Sequence, residues 1–183
     1  CNAMVNLIGK NFYFVSTQPM DNERKNGGWE LNSKYSFEIK AYENKEANKL
    51  AMDLARISDA IIIGSAPEIY VRERMTGNKN LTFRYSERIY KKGLWRALSP
   101  RGIYYRFQTY YRYISKPIYM LCASAYTSAD LAILGSYLGR CYKWGYFPYN
   151  EKYDFETLLT KKKTKSILWV CRLINWKHPD APL

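Results

Sequence analysis

The chain has 183 residues, 47% of them hydrophobic, and a formal net charge of +13. That length suits one domain with a real core, or one domain plus part of a second, and the composition excludes a disordered chain. No apolar run approaches the roughly 18 to 20 residues of a membrane-spanning helix, and no charged-then-apolar leader opens the chain.

Residues 2–8 read as the tail of a helix closed by Gly9. Phe12 to Thr17 is β-branched and aromatic and predicts a buried strand. Asp21 to Lys34, with Gly27-Gly28, predicts a loop, and the alternation of Tyr35 to Tyr42 a half-exposed strand near a sheet edge. Ala47, Leu50, Ala51 and Leu54 share one helical face. Ala60-Ile61-Ile62-Ile63-Gly64 is almost wholly apolar, as in a parallel strand covered on both faces. A short helix over Glu68 to Met75 should end near Gly77, before a strand at Leu81 to Tyr85. In 103–114, Ile103, Tyr104, Phe107, Tyr110, Tyr111 and Ile114 fall on one helical face, which predicts core packing. Pro117 to Leu121 predicts a strand. Thr127 with Asp130 predicts a capping-box start for a helix through Leu138. Cys141 to Trp144 predicts a last strand, Phe155 to Lys161 a connecting helix, and Lys161 to Lys165 a linker before the strand Ile167 to Val170.

Strand and helix alternate throughout, so the expected class is α/β, a Rossmann-like, mostly parallel sheet with flanking helices. A doubly wound domain opens with a central strand, and none precedes residues 2–8. The expected organisation is an α/β domain over 1–150 lacking that strand, a helix and linker over 151–165, and the first strand and turn of a second domain over 166–183. The cysteines at 1, 122, 141 and 171 form no C-x-x-C pair, and with a single His no zinc set is expected. Their wide spacing suits a reducing compartment.

The charge is concentrated. Residues 84–116 hold nine Lys and Arg against one acid, Glu87. Its candidate counterparts are an anionic membrane, nucleic acid or phosphorylated substrates. No RNA-binding signature accompanies the aromatic-basic segment 103–114, which disfavours nucleic acid.

Five places carry candidate chemistry. Gly64-Ser65-Ala66-Pro67 leaves the most apolar strand at its carboxyl end, where open α/β sheets bind ligands. Ser65 offers a hydroxyl there; the plainer alternative is a tight turn into a helix. Arg84-Tyr85-Ser86-Glu87-Arg88 leaves the next strand. Glu87 could accept from sugar hydroxyls while Arg84 or Arg88 engages a phosphate, or could serve only an internal ion pair. Ser124 and Tyr126, in Cys122 to Tyr126, stand at a third strand end, and Gly145-Tyr146 follows the last strand. In the tail, Arg172 and Lys177 fall at an expected strand-to-helix turn, spaced to close on a diphosphate from two sides; the plainer alternative, which the residues alone favour, is a strand edge with solvated cations. No Ser-His-Asp or Cys-His set can be assembled.

ILWVCRLINWKHPD (167–180) resembles the opening of the donor-sugar domain in family 4 glycosyltransferases, which have the two-domain GT-B fold. The strings Gly64 to Pro67, Thr82 to Arg88, Cys122 to Thr127 and Lys143 to Pro148 look like the acceptor half of a bacterial subgroup of that family. Cys171 stands where the family carries Gly. The resemblance implies sugar transfer from a nucleotide diphosphate sugar to a saccharide or lipid-linked saccharide acceptor, with retention at the anomeric carbon. It also implies no further cofactor and no required metal. Arg172 and Lys177 would bind the donor diphosphate. Ser65, Arg84, Ser86, Glu87, Arg88, Ser124, Tyr126, Gly145 and Tyr146 would line the acceptor side. The expected setting is the cytoplasm, peripheral on the inner face of the membrane. A basic module that binds membrane or polyanion without catalysis is the alternative.

Overall fold

The computed structural model describes residues 1–26, 35–77, 81–91, 93, 95, 99–147, 152 and 154–161. The chain divides into two units, Cys1–Tyr146 and Phe147–Leu183. In the first, β1 (Phe14–Ser16) and β2 (Glu38–Lys40) form a two-stranded sheet. A second sheet has the order β3 (Ala60–Ile63), β4 (Leu81–Ser86), β5 (Ile118–Cys122), β6 (Cys141–Lys143). Every pairing is parallel. The helices are α1 (Asn2–Ile8), α2 (Asn22–Asn26), α3 (Lys45–Ile57), α4 (Glu68–Thr76), α5 (Pro100–Thr109) and α6 (Thr127–Ile133). This is the α/β, Rossmann-like class that the alternating pattern predicts. No helix among the described residues is long and apolar enough to cross a membrane.

β1 and β3 lie in separate sheets, yet Val15 and Ile61 pack against one cluster of Ala41, Ala51, Ala55 and Tyr70. The doubly wound order would place an opening strand between them; no described segment pairs with both. Local chemistry accounts for the helix ends. Asn44 Oδ1 accepts the Ala47 N–H at 2.7 Å and starts α3. Gly9 closes α1 at φ 62°, a left-handed value that suits glycine. Gly77 ends α4 against α3, where a Cβ would meet the Arg56 carbonyl oxygen at 2.8 Å.

The four-stranded sheet has two unlike faces. One register row carries Ile63, Arg84, Met120 and Cys141, and another Ile61, Thr82 and Ile118. All but Ile61 and Cys141 are buried, in a core that also takes Val71, Tyr110, Tyr113 and Leu131. The opposite face carries Ile62, Phe83 and Tyr119 in one row and Tyr85, Leu121 and Tyr142 in the next. Rings there meet in pairs, Phe83 with Tyr119 and Tyr119 with Tyr142, each at 5.7 Å. Ile62 is 55% exposed. The expectation that 60–64 is covered on both faces therefore holds on one face only.

Other expectations need correction. Phe14 and Tyr13 are exposed, so the 12–17 strand is an outer element rather than a buried one. Leu50 stands outside the α3 contact, which rests on Ala51 and Ala55. A short helix, α2, occupies part of the expected loop 21–34. α6 stops at Ile133 because Gly135 and Tyr137 take φ of 64° and 55°. α5 ends at Thr109, a 3-10 turn follows over Tyr111–Tyr113, and the face predicted as core points outward. Ile103, Tyr104, Phe107, Tyr111 and Ile114 are exposed, and only Tyr110 of the set is buried.

Burial pushes the Tyr110 hydroxyl up to about 12 from an ordinary 10.0, against smaller opposing pulls from Arg84 and the nearby Ser86 side chain. The folded state thus holds this proton more tightly than the unfolded chain does. Its contribution is full below pH 10 and is lost as pH rises through about 12. The shift corresponds to roughly 2 to 3 kcal/mol. Urea unfolding at a series of alkaline pH values should show this loss, and Tyr110→Phe should flatten it.

The second unit contains α7 (Phe155–Lys161), the predicted connecting helix. Asp154 Oδ1 accepts the N–H groups of Glu156 at 3.2 Å and Thr157 at 3.4 Å. The Thr157 hydroxyl and these amides hold the Asp154 carboxyl below its usual range. The linker after Lys161 and the strand 167–170 lie outside the described residues.

Candidate functional site

Because β3, β4, β5 and β6 are consecutive and parallel, their carboxyl ends share one rim. In chain order Ser65, Ser86 to Arg88, Ser124 to Tyr126, and Gly145 with Tyr146 leave those ends. Backbone pairing continues past the strands, from Ala123 N–H to Ser86 O and from Trp144 N–H to Cys122 O, both at 3.0 Å. The rim is thereby held by the sheet rather than by loops alone.

The residues on the rim differ in availability. Ser65 is exposed. Ser86 Oγ donates to Glu87 O at 2.8 Å, and Ser124 Oγ accepts the Tyr126 N–H at 3.3 Å. Arg88 lies over the Tyr126 ring, 4.9 Å from its centroid, with its Nε 3.6 Å from Asp130 Oδ2. Glu87 is engaged by Lys91. Tyr146 meets Tyr85 edge-on at 6.3 Å, and a Cβ at Gly145 would meet nothing within 4 Å. The arrangement offers hydroxyls, the exposed rings of Tyr126 and Tyr146, and a guanidinium only partly neutralised by Asp130. That chemistry suits a polyhydroxylated ligand with some negative charge.

Arg84 does not belong to the rim. It lies inside, its Nη1 and Nη2 donating to Glu68 Oε1 and Oε2 at 2.9 and 3.1 Å, and Nη1 also to Thr109 O at 2.7 Å. Burial works against its charge, but Tyr137, Glu68 and Tyr110 outweigh it and the pKa stands above the ordinary value. Its fork is filled, so the expected phosphate contact is replaced by a structural one.

The capping box at Thr127 is also corrected. Thr127 is the first residue of α6, after Tyr126, and its buried Oγ1 has no hydrogen-bond partner. Asp130 instead accepts the N–H groups of Ile89 at 3.0 Å and Tyr90 at 3.1 Å. It pins the segment after β4, and with it Arg88. Nothing in the local spacing marks that partnership, 41 residues apart for Ile89.

Arg172, Lys177 and Cys171 lie outside the described residues. Comparison with family models, curated proteins and solved structures gave no match for this chain. The functional reading rests on the rim's own chemistry and on the sequence resemblance.

Proposed function

We propose that this chain is the acceptor-side part of a GT-B glycosyltransferase, transferring a sugar from a nucleotide diphosphate sugar to a saccharide or lipid-linked saccharide. The observation that supports this best is the single rim of Ser65, Ser86 to Arg88, Ser124 to Tyr126 and Tyr146 at the carboxyl ends of parallel strands, where such sheets take ligands. Ser65, Ser124 and Tyr126 contact the acceptor, and Arg88, steadied by Asp130, meets its charge. Arg172 and Lys177 stabilise negative charge developing on the leaving diphosphate. Retention at the anomeric carbon, independence of a catalytic metal, and a role in surface-polysaccharide assembly on the cytoplasmic face of the membrane complete the reading.

The test of the diphosphate pair uses the product of the complete reading frame. Arg172→Ala and Lys177→Ala should each lower the turnover number by about ten- to several hundred-fold, since a charge-assisted contact is worth about 1.5 to 3 kcal/mol. Donor affinity should change less. Lys177→Arg should rescue only in part, and Cys171→Gly should be neutral or activating. Wild-type kinetics in both alanine variants would contradict the assignment.

A second reading, a basic α/β module that catalyses nothing, is favoured by one observation: the exposed aromatic strip of α5 within the cationic segment 84–116.

A further inference from the structure

We propose that the outward strip of α5 is a docking surface for an anionic lipid bilayer. This deepens the peripheral placement above and rests on it, but not on sugar transfer. Ile103, Tyr104, Phe107, Tyr111 and Ile114 follow the helical period and run along one side of α5 and the turn after it. All five are exposed, Tyr104 by 67% and Phe107 by 57%. A shallow groove of about 370 Å³ between Ile103, Phe107 and Tyr111 carries the surface on to Ile133 of α6, itself exposed.

The helix is held with this side outward from within. Arg106 and Thr109 are its buried residues, and Arg106 Nη1 donates to the Tyr90 hydroxyl at 3.2 Å. Exposed Arg101 and Lys116 bracket the strip in the chain, and Arg112 Nη1 donates to Gln108 Oε1 at 2.9 Å. The sole acid of the stretch, Glu87, is occupied by Lys91. Negative charge therefore meets little repulsion here.

Charge alone would suit RNA as well as lipid; the apolar content decides. Tyr104, Phe107 and Tyr111 have rings on which bases can stack, but Ile103, Ile114 and Ile133 add exposed aliphatic area that bases do not use and acyl chains do. Apolar side chains flanked by tyrosines and cations are the composition of interfacial helices, with ring bodies among acyl chains and polar tips at the headgroups.

Sedimentation of the 183-residue protein with phosphatidylcholine vesicles, with and without phosphatidylglycerol, tests this. Binding should require the anionic lipid and weaken steeply between low and physiological salt. Arg101→Gln with Lys116→Gln should lower partitioning about thirtyfold. Ile103→Ser with Phe107→Ser should lower it at least about tenfold with the unfolding midpoint unchanged. If that apolar variant misfolds, the charge variant alone decides. Binding that survives both double variants would overturn this surface while leaving a peripheral location standing. No binding at all would overturn both. Equal binding to neutral vesicles, or tighter binding to single-stranded RNA, would also overturn it.

Discussion

Arg74→Met is expected to cost about 3 to 5 kcal/mol of folding stability, in the range for breaking a buried charged network. Arg74 is fully buried. Its Nε donates to Thr82 Oγ1 at 3.0 Å, Nη1 to Ala55 O at 3.3 Å and to Ser58 O, and Nη2 to Asp59 O at 3.3 Å and Leu81 O at 3.4 Å. One side chain thus joins the end of α3, the entry to β3 and the start of β4. Methionine fills much of the volume but leaves these carbonyls without donors, and each orphaned group costs about 1 to 3 kcal/mol. Desolvation lowers the Arg74 pKa, and Asp59 opposes that. Arg74→Lys should recover only part, since a single ammonium cannot span the same acceptors. Because the clamp sits at the amino ends of β3 and β4, opposite the rim, any variant that stays folded should leave the rim's arrangement unchanged. Urea unfolding that changes by less than about 1 kcal/mol would show that water replaces the network freely.

Glu68→Ala should cost about 3 kcal/mol, because it leaves the Arg84 guanidinium buried with the Thr109 carbonyl and the neighbouring Tyr110 and Tyr137 but no carboxylate to face it. The lower end of the usual range applies, since the Glu68 side chain keeps 22% exposure and water can reach the vacated place. Replacing both partners, Arg84→Met with Glu68→Met, should cost less than Glu68→Ala alone. The burial penalty then disappears with the charge. Such non-additivity is the signature of a structural pair. Additive losses would return Arg84 to the list of ligand-binding cations.

These two arginines show where sequence reading stops. The strands at 60–63, 81–86 and 118–122 are legible because their apolar runs are short, bounded by turn signals and typical of parallel sheets. Periodicity also groups Ile103, Tyr104, Phe107 and Tyr111 correctly on one face of α5, but it carries no information about which face meets the core. Here Arg106 takes the inside because Tyr90 offers it a hydroxyl. Arg84 reads as a ligand cation because its motif sits beside a strand end. Strand alternation places it one residue too early, facing inward to Glu68, 16 residues upstream. Asp130 resembles a cap three residues from Thr127, yet the free amides after β4 compete for it and win. In each case a distant polar partner decides, and local spacing cannot specify one. The rim itself was legible, since Ser65, Ser86, Ser124 and Gly145 each follow a recognisable parallel strand.

Product analysis of the complete reading frame's protein, incubated with nucleotide diphosphate sugars and free or lipid-linked saccharides, tests the functional reading most directly. The account predicts a glycosylated acceptor with the donor's anomeric configuration retained, and transfer impaired by Ser124→Trp, which would block the rim without touching the buried core. Failure to transfer from any donor, by a folded protein that still sediments with anionic vesicles, would contradict it and leave the non-catalytic module.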